Sequence, residues 1–199
     1  MSARLVIATH NPGKLREFQS LLAPLGIEAT SAGALGLPEP DETASDFAGN
    51  ARLKALAAAS AAGLPALADD SGFCAAALDG GPGVLSSRYA AGDYPAAFAR
   101  IIAAARTADE WRAWFTCALC LAQPNGTTQT YIGLAHGRIA QTPRGQDGFG
   151  YDPLFIPDGH IQTYAELGHA AKENISHRAA AVAQLMAALH NGAATLTSA

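Results

Sequence analysis

Apolar letters first gather at Leu5-Val6-Ile7-Ala8, a short β-like run. Asn11-Pro12 then predicts an N-cap and a first helical position, with Leu15, Phe18, Leu22 and Leu25 following at helical spacing. A second helix is expected from Ser45 or Asp46 to Gly63, a residue suited to the left-handed turn that ends helices. Pro65 to Ala68 predicts a strand that ends in the polar run Asp69-Asp70-Ser71-Gly72. Asp79 to Gly83 is a Gly/Pro loop, and Pro95 to Arg106 a helix. Ala113, Phe115, Cys117, Leu119 and Leu121 alternate with their neighbours as in a strand. Pro124-Asn125-Gly126 supplies turn chemistry, and Thr127 to Ala135 returns as the partner strand. Thr142 to Gly159 is a Gly/Pro-rich stretch. Thr163 with Glu166 fits a capping box, and Ser176 caps a final helix that ends near Asn191-Gly192. Alternating strands and helices followed by a hairpin argue α/β or α+β with a mixed sheet, in a single domain over residues 1–199 whose tail from about 193 is frayed.

Composition narrows this picture. The 199 residues are 49% hydrophobic, but 46 of them are Ala, which adds little bulk to a core. A chain of this length buries about 70% of its unfolded-state surface and needs no disulfide or metal staple. The net charge is −4 and there is no Lys/Arg-rich run, which disfavours a nucleic-acid polymer as partner. Small anions remain open, since a few placed cations suffice for them. The apolar stretch Ala55 to Ala68 is broken by Ser60, Gly63 and Pro65, so no membrane span is expected. Met1-Ser2-Ala3-Arg4 lacks a signal-peptide layout, and three Cys fit a reducing cytoplasm. Cys117 and Cys120 would point to opposite faces of a strand, so they read as buried thiols and not as a metal or redox pair.

Four segments carry candidate chemistry. Thr9-His10-Asn11-Pro12-Gly13-Lys14 joins a strand to a helix, where backbone N–H groups and the helix dipole favour a phosphate and Lys14 adds a charge. It is not a Walker loop: Ala8 stands where Gly is required, and Leu15 follows Lys14. An ordinary capped helix with a surface Lys has the same letters. The acidic residues Asp41, Glu42, Asp69 and Asp70 form the second set. Mg²⁺ takes one or two carboxylates plus substrate phosphates, and a carboxylate nearby can accept a proton from water. Adjacent side chains on a strand face opposite ways, so Asp69 and Asp70 should have different partners. A solvated turn is the competing reading, and the better one for Asp41-Glu42 alone.

Lys172 with Ser176-His177-Arg178 is the third segment. His177 and Arg178 fall in a first helical turn, where cations oppose the dipole; an anionic or carbonyl-bearing ligand would account for them. The fourth is Phe149-Gly150-Tyr151-Asp152-Pro153, in which an aromatic could stack on a base and Asp152 accept from ring N–H groups. Aromatics in loops are more often lids over a core. Lys54 lies four residues after Asn50 on one helix face and could reach phosphates; a solvated Lys is the plainer reading.

In this order the segments resemble the inosine/xanthosine triphosphate pyrophosphatase family. Thr9, Asn11 and Lys14 meet its Thr/Ser-x-Asn-x-x-Lys opening, and Asp41-Glu42-Thr43 its acidic segment. Asn50-Ala51-Arg52-Leu53-Lys54-Ala55 meets Asn-Ala-x-x-Lys-Ala, and Asp69 to Gly72 meets Asp-Asp-Ser-Gly. Ser87-Arg88-Tyr89-Ala90, Phe149 to Pro153 and Ser176 to Arg178 complete the series. Gly49 departs from the family's usual Glu, and Asp147 from its usual Gly. The resemblance implies an elongated, two-lobed α/β fold with a long twisted mixed sheet, helices flanking it and an active-site cleft between the lobes. It implies a cytoplasmic homodimer that needs Mg²⁺ and cleaves ITP, dITP or XTP to the monophosphate and pyrophosphate. By the same resemblance Asp70 is catalytic, and Asp41 and Asp70 bind the metal with Glu42 and Asp69 as secondary ligands. Thr9, His10, Asn11, Pro12, Gly13, Lys14 and Lys54 would bind the phosphate end, and Ser71 the phosphates or the sugar. Phe149, Gly150, Tyr151, Asp152, Lys172, His177 and Arg178 would bind the base. The rivals are a related pyrophosphatase for pyrimidine or modified nucleotides, and a module that binds nucleotide without cleaving it.

Overall fold

The computed structural model describes residues 4–196. The expectations for Met1 to Ala3 and for residues 197–199 lie outside the described residues. Strands are β1 (Arg4–Ile7), β2 (Glu28–Ser31), β3 (Ala66–Ala75), β4 (Arg112–Ala122), β5 (Thr128–Ile139) and β6 (Phe155–Pro157). Helices are α1 (Pro12–Leu22), α2 (Phe47–Ala62), α3 (Ser86–Ala90), α4 (Tyr94–Ala108), α5 (Tyr164–Leu167), α6 (His169–Ile175) and α7 (His177–His190). The strands form one sheet in the order β2-β1-β3-β4-β5-β6. β1 runs parallel to β2 and to β3, whereas β5 and β6 are antiparallel, so the sheet is mixed as expected. Among the described residues no helix is long and apolar enough to cross a membrane.

Local chemistry explains most boundaries. Asn11 caps α1: its Oδ1 accepts from the N–H groups of Gly13 (2.8 Å) and Lys14 (3.4 Å), with Pro12 at the first helical position. Asp46 caps α2, and Gly63 ends it at φ 63°, a left-handed conformation open to glycine. Thr163 and Glu166 form the expected capping box on α5. Across the Pro124–Gly126 turn, Gln123 N–H donates to Thr127 O at 2.8 Å and closes the hairpin of β4 and β5.

β3 departs from expectation. It does not end at Ala68 but runs through Asp69-Asp70-Ser71-Gly72 to Ala75. Asp and Gly are poor strand formers, but β4 flanks this strand in the sheet, and ladder pairing overrides local preference; β1 pairs with it at Ala66 and Leu67. The tail also differs as far as it is described. Ala194 is buried, and the carbonyls of Ala193 and Thr195 accept from Gln129 and Gln123, each at 2.6 Å, so this stretch is tethered and not frayed.

The chain folds into two compact units. One comprises the residues up to Asp70, Ala118–Ile132 and the chain from Ala181; the other comprises Ser71–Cys117 and Gly133–Ala180. The first has a core of small side chains. Ala51, Ala55, Ala58 and Ala59 of α2 share it with Val6, Ala66 and Ala68 of β1 and β3. The second has a core of rings, with Phe73, Phe98, Phe115, Tyr151, Phe155 and Tyr164 among its members. All three cysteines are buried thiols, as expected for Cys117 and Cys120.

Candidate active site

In the first unit, alternation along β3 sends Asp69 and Asp70 to different partners. Lys14, at the start of α1, places Nζ 3.0 Å from Asp69 Oδ1. Lys54 of α2 places Nζ 3.4 Å from Asp70 Oδ1 and 2.8 Å from Glu42 Oε1. Asn50, one turn before Lys54, donates from Nδ2 to Asp70 Oδ2 at 3.1 Å and accepts from Ala44 N–H at 2.9 Å. It thereby ties the acidic loop to β3. Thr9, Asn50, Lys54, Asp69 and Asp70 are all buried, and Glu42 is half-buried.

The charges are unequal. Burial raises the Asp70 pKa, with Lys54 and the Asn50 hydrogen bond opposing it and Glu42 adding to it. Burial pulls the Lys54 ammonium down, but Asp70, Glu42 and Asp69 together outweigh that and its pKa is raised. The two shifts agree once the crowding is counted: Lys54 answers to several carboxylates, whereas Asp70 must also endure its neighbours' charge. Among the described residues no three His, Cys, Asp or Glu side chains gather as a ready metal cage.

Other expected residues of the phosphate end fall around this group or away from it. Thr9 Oγ1 accepts from Asn11 N–H at 3.1 Å. His10 is exposed and donates from Nε2 to Leu37 O at 2.9 Å. Asp41 is exposed; its neighbour Glu42 is the one that reaches Lys54. Pro12 is exposed and Gly13 half-buried. At the departure Gly49, a Cβ would meet the Ala44 side chain at 2.5 Å, so the loop leaves no room for the family's Glu.

In the second unit Asp152 is the hub. Its Oδ2 lies 2.6 Å from Lys172 Nζ and accepts from Phe149 N–H at 2.9 Å. Gly148 sits at φ 81°, and a Cβ there would strike the Asp152 carboxylate. Lys172 Nζ lies 4.4 Å from the centroid of the Phe149 ring and 5.7 Å from that of Tyr164. Phe149 is 49% exposed, whereas Asp152 and Lys172 are buried. Ser176 caps α7 by accepting from Ala179 N–H at 3.1 Å, and His177 and Arg178 are buried in the turn that follows. Ser71 and Gly150 are half-buried.

Tyr151 turns inward. It lies 4% exposed in the ring core, stacked on Phe73 at 5.0 Å, and its hydroxyl donates to Ser86 O at 2.7 Å. Burial raises its phenol pKa well above the usual range. Three residues had escaped the sequence reading as parts of a site. Asn50 stands in the Asn-Ala-x-x-Lys-Ala motif and at helical spacing to Lys54, but its bond to Asp70 leaves no sign in the letters. Phe115 stacks on the His177 imidazole, and Tyr164 donates its hydroxyl to Ile175 O at 3.0 Å. Neither ring carried any signal beyond strand alternation and a capping box.

Fold and clusters define a class: an α/β protein with a mixed sheet whose polar chemistry is concentrated in buried lysine–carboxylate groups. Comparison makes the class specific. A model of the Ham1 family matches residues 5–188, and the chain belongs to that family. It is 55% identical over 190 residues to the dITP/XTP pyrophosphatase of Rhodospirillum centenum (92% of this chain, 93% of that one). It is 51% identical over 182 residues to the dITP/XTP pyrophosphatase of Gluconobacter oxydans (90% and 88%). A HAM1 protein from Coxiella burnetii has a similar structure, with a TM-score of 0.87 and 40% identity over 95% of this chain and 99% of that one. These findings bear out the resemblance drawn from the motifs.

Proposed function

We propose that the protein hydrolyses non-standard purine nucleoside triphosphates, ITP, dITP and XTP, to the monophosphate and pyrophosphate. The observation that carries this reading is the set of buried Asp69 and Asp70 and half-buried Glu42 held against the ammonium groups of Lys14 and Lys54. A site that only bound anions would gain nothing from three carboxylates. The names of the Rhodospirillum and Gluconobacter relatives support the same substrate class.

The donor set suits Mg²⁺. It is made of hard carboxylate oxygens, it has no competing sulfur, and Mg²⁺ completes its shell with substrate phosphates instead of a protein cage. Asp70 and Glu42, with Asp41 and Asp69, would hold it, and when bound it would neutralise charge on the phosphates. Lys14, Lys54 and the turn from Thr9 to Lys14 would position the triphosphate. Water attacks the α-phosphorus, the bridging oxygen leaves with pyrophosphate, and Asp70 accepts the proton of the water. Phe149, exposed above Lys172, would stack on the base. Lys172, His177 and Arg178 are donors suited to a 6-oxo group, and the amino group of adenine would meet donors there. We read the molecule as a cytoplasmic homodimer, and its buried thiols fit a reducing compartment.

The test is a pyrophosphate-release assay over inosine, xanthosine, guanosine, adenosine and pyrimidine triphosphates. Release from ITP and XTP that stops with EDTA is expected. Release from pyrimidine substrates alone, or nucleotide binding without release, would overturn the reading.

A further inference from the structure

His177 stands at the first position of α7 and is 4% exposed. One face of its ring is covered by a residue outside every motif in the chain. Phe115 of β4 lies parallel to it, with centroids 4.8 Å apart and planes at 12°. Phe115 is itself held on three other sides. Phe73 meets it edge-on at 5.4 Å and Phe155 at 5.0 Å, and Tyr164 stacks at 5.9 Å. Tyr164 in turn anchors the backbone one step before the helix cap, through its hydroxyl and Ile175 O. The His177 ring thus rests on a shelf that cannot rotate without disturbing several other rings.

We propose that Phe115 is a positioning residue that sets the orientation of the His177 imidazole and, through it, the discrimination between 6-oxo and 6-amino purines. The proposal rests on the reading of His177 as a base donor. A hydrogen bond weakens steeply as its angle departs from linear, so a donor free to tilt discriminates poorly. A flat aromatic neighbour removes that tilt; an aliphatic one of similar bulk does not.

The experiment is a double-mutant cycle on full-length protein, read as the ratio of kcat/KM for ITP over ATP. Phe115→Leu is expected to lower the ratio by about two- to tenfold, the range of an aromatic stacking term. In the His177→Ala background the same change should leave the ratio where His177→Ala alone puts it. Ile101→Ala, in the same core but outside the stack, serves as the stability control; it should lower the melting temperature and leave the ratio unchanged. A ratio unaltered by Phe115→Leu, while His177→Ala lowers it, overturns the proposal alone. A ratio unaltered by His177→Ala overturns the base reading and the proposal with it. NMR on the wild-type protein covers a Phe115→Leu chain that fails to fold. The His177 ring protons should lie upfield of the random-coil position, and unshifted protons would overturn the stack.

Discussion

Alanine fills the core of one unit and aromatic rings fill that of the other, and their polar clusters differ in the same way. In the first unit α2 packs through Ala51, Ala55, Ala58 and Ala59, side chains so small that Asn50 and Lys54 on that helix can reach β3 directly. Glu42, Asp69 and Asp70 share the ammonium groups of Lys14 and Lys54 there. In the second unit Asp152 pairs with Lys172, and the rings of Phe149 and Tyr164 lie close to that ammonium. The first arrangement suits a divalent cation and a polyanion, whose attraction grows as water is excluded. The second suits a flat, uncharged group, recognised by stacking and by hydrogen-bond polarity. Charge chemistry and shape reading thus use different packing materials.

Asp70→Asn breaks the comparison hardest. It keeps the shape and removes the proton acceptor, so turnover of ITP should fall by about 10²–10⁴-fold, the usual worth of a general base. The melting temperature should hold, because burial and Glu42 already oppose the Asp70 charge. Turnover near wild type would remove Asp70 from the mechanism. Lys54→Met comes next. It leaves Asp70 and Glu42 without their shared ammonium, and breaking a buried pair in this way costs about 3–5 kcal/mol. Mg²⁺ should then raise the melting temperature of this variant more than that of wild type, since a cation that binds the native state takes over the missing charge. Equal Mg²⁺ shifts in the two proteins would mean that these carboxylates attract no metal.

Asp152→Asn probes the matched pair. An amide can still accept from Phe149 N–H but loses the ionic bond to Lys172, a loss of about 1.5–3 kcal/mol for a hydrogen bond to a charged group. The preference for ITP over ATP should fall while turnover at saturating ITP stays near wild type. A selective fall in turnover would show that both clusters share one kind of chemistry.

How much of this was written in the sequence depends on the distance over which each feature is decided. Asn11, Asp46 and Thr163 act within three residues, and their caps were legible as letters. The pairing of Lys14 with Asp69, and of Lys54 with both Glu42 and Asp70, joins distant stretches; the spacing of letters does not encode it, although the family motifs mark the participants. β3 was cut short because Asp-Asp-Ser-Gly is poor strand material, and only the flanking strands reveal why it stays extended. Short elements also escaped: β2, β6, α3 and α6 hold few residues each, too few for a period to show. The placing of Tyr151 is hidden in the letters for another reason. The letters Phe-Gly-Tyr-Asp do not say which ring of a loop turns inward, and the phenol found a buried carbonyl at Ser86.

Phe149→Leu gives the smallest effect and the sharpest one. A ring in a loop can be a lid over a core or a platform for a ligand, and the two roles predict opposite patterns. As a lid it would be buried, and truncation would destabilise by several kcal/mol. Phe149 is 49% exposed, and the Lys172 ammonium lies 4.4 Å from its ring centroid. Truncation therefore removes a cation–π contact of about 0.5–2 kcal/mol. A shift of that size moves the melting temperature by about 1–8 °C in a chain this long. Base stacking on an aromatic is worth about 1–3 kcal/mol, so the KM for ITP should rise by about five- to a hundredfold. Inorganic triphosphate has no base, and its inhibition constant should not move. A large drop in melting temperature with an unchanged KM would make Phe149 a piece of the ring core. The second unit would then lack its reading surface, and the contrast with the carboxylate cluster would lose its functional meaning.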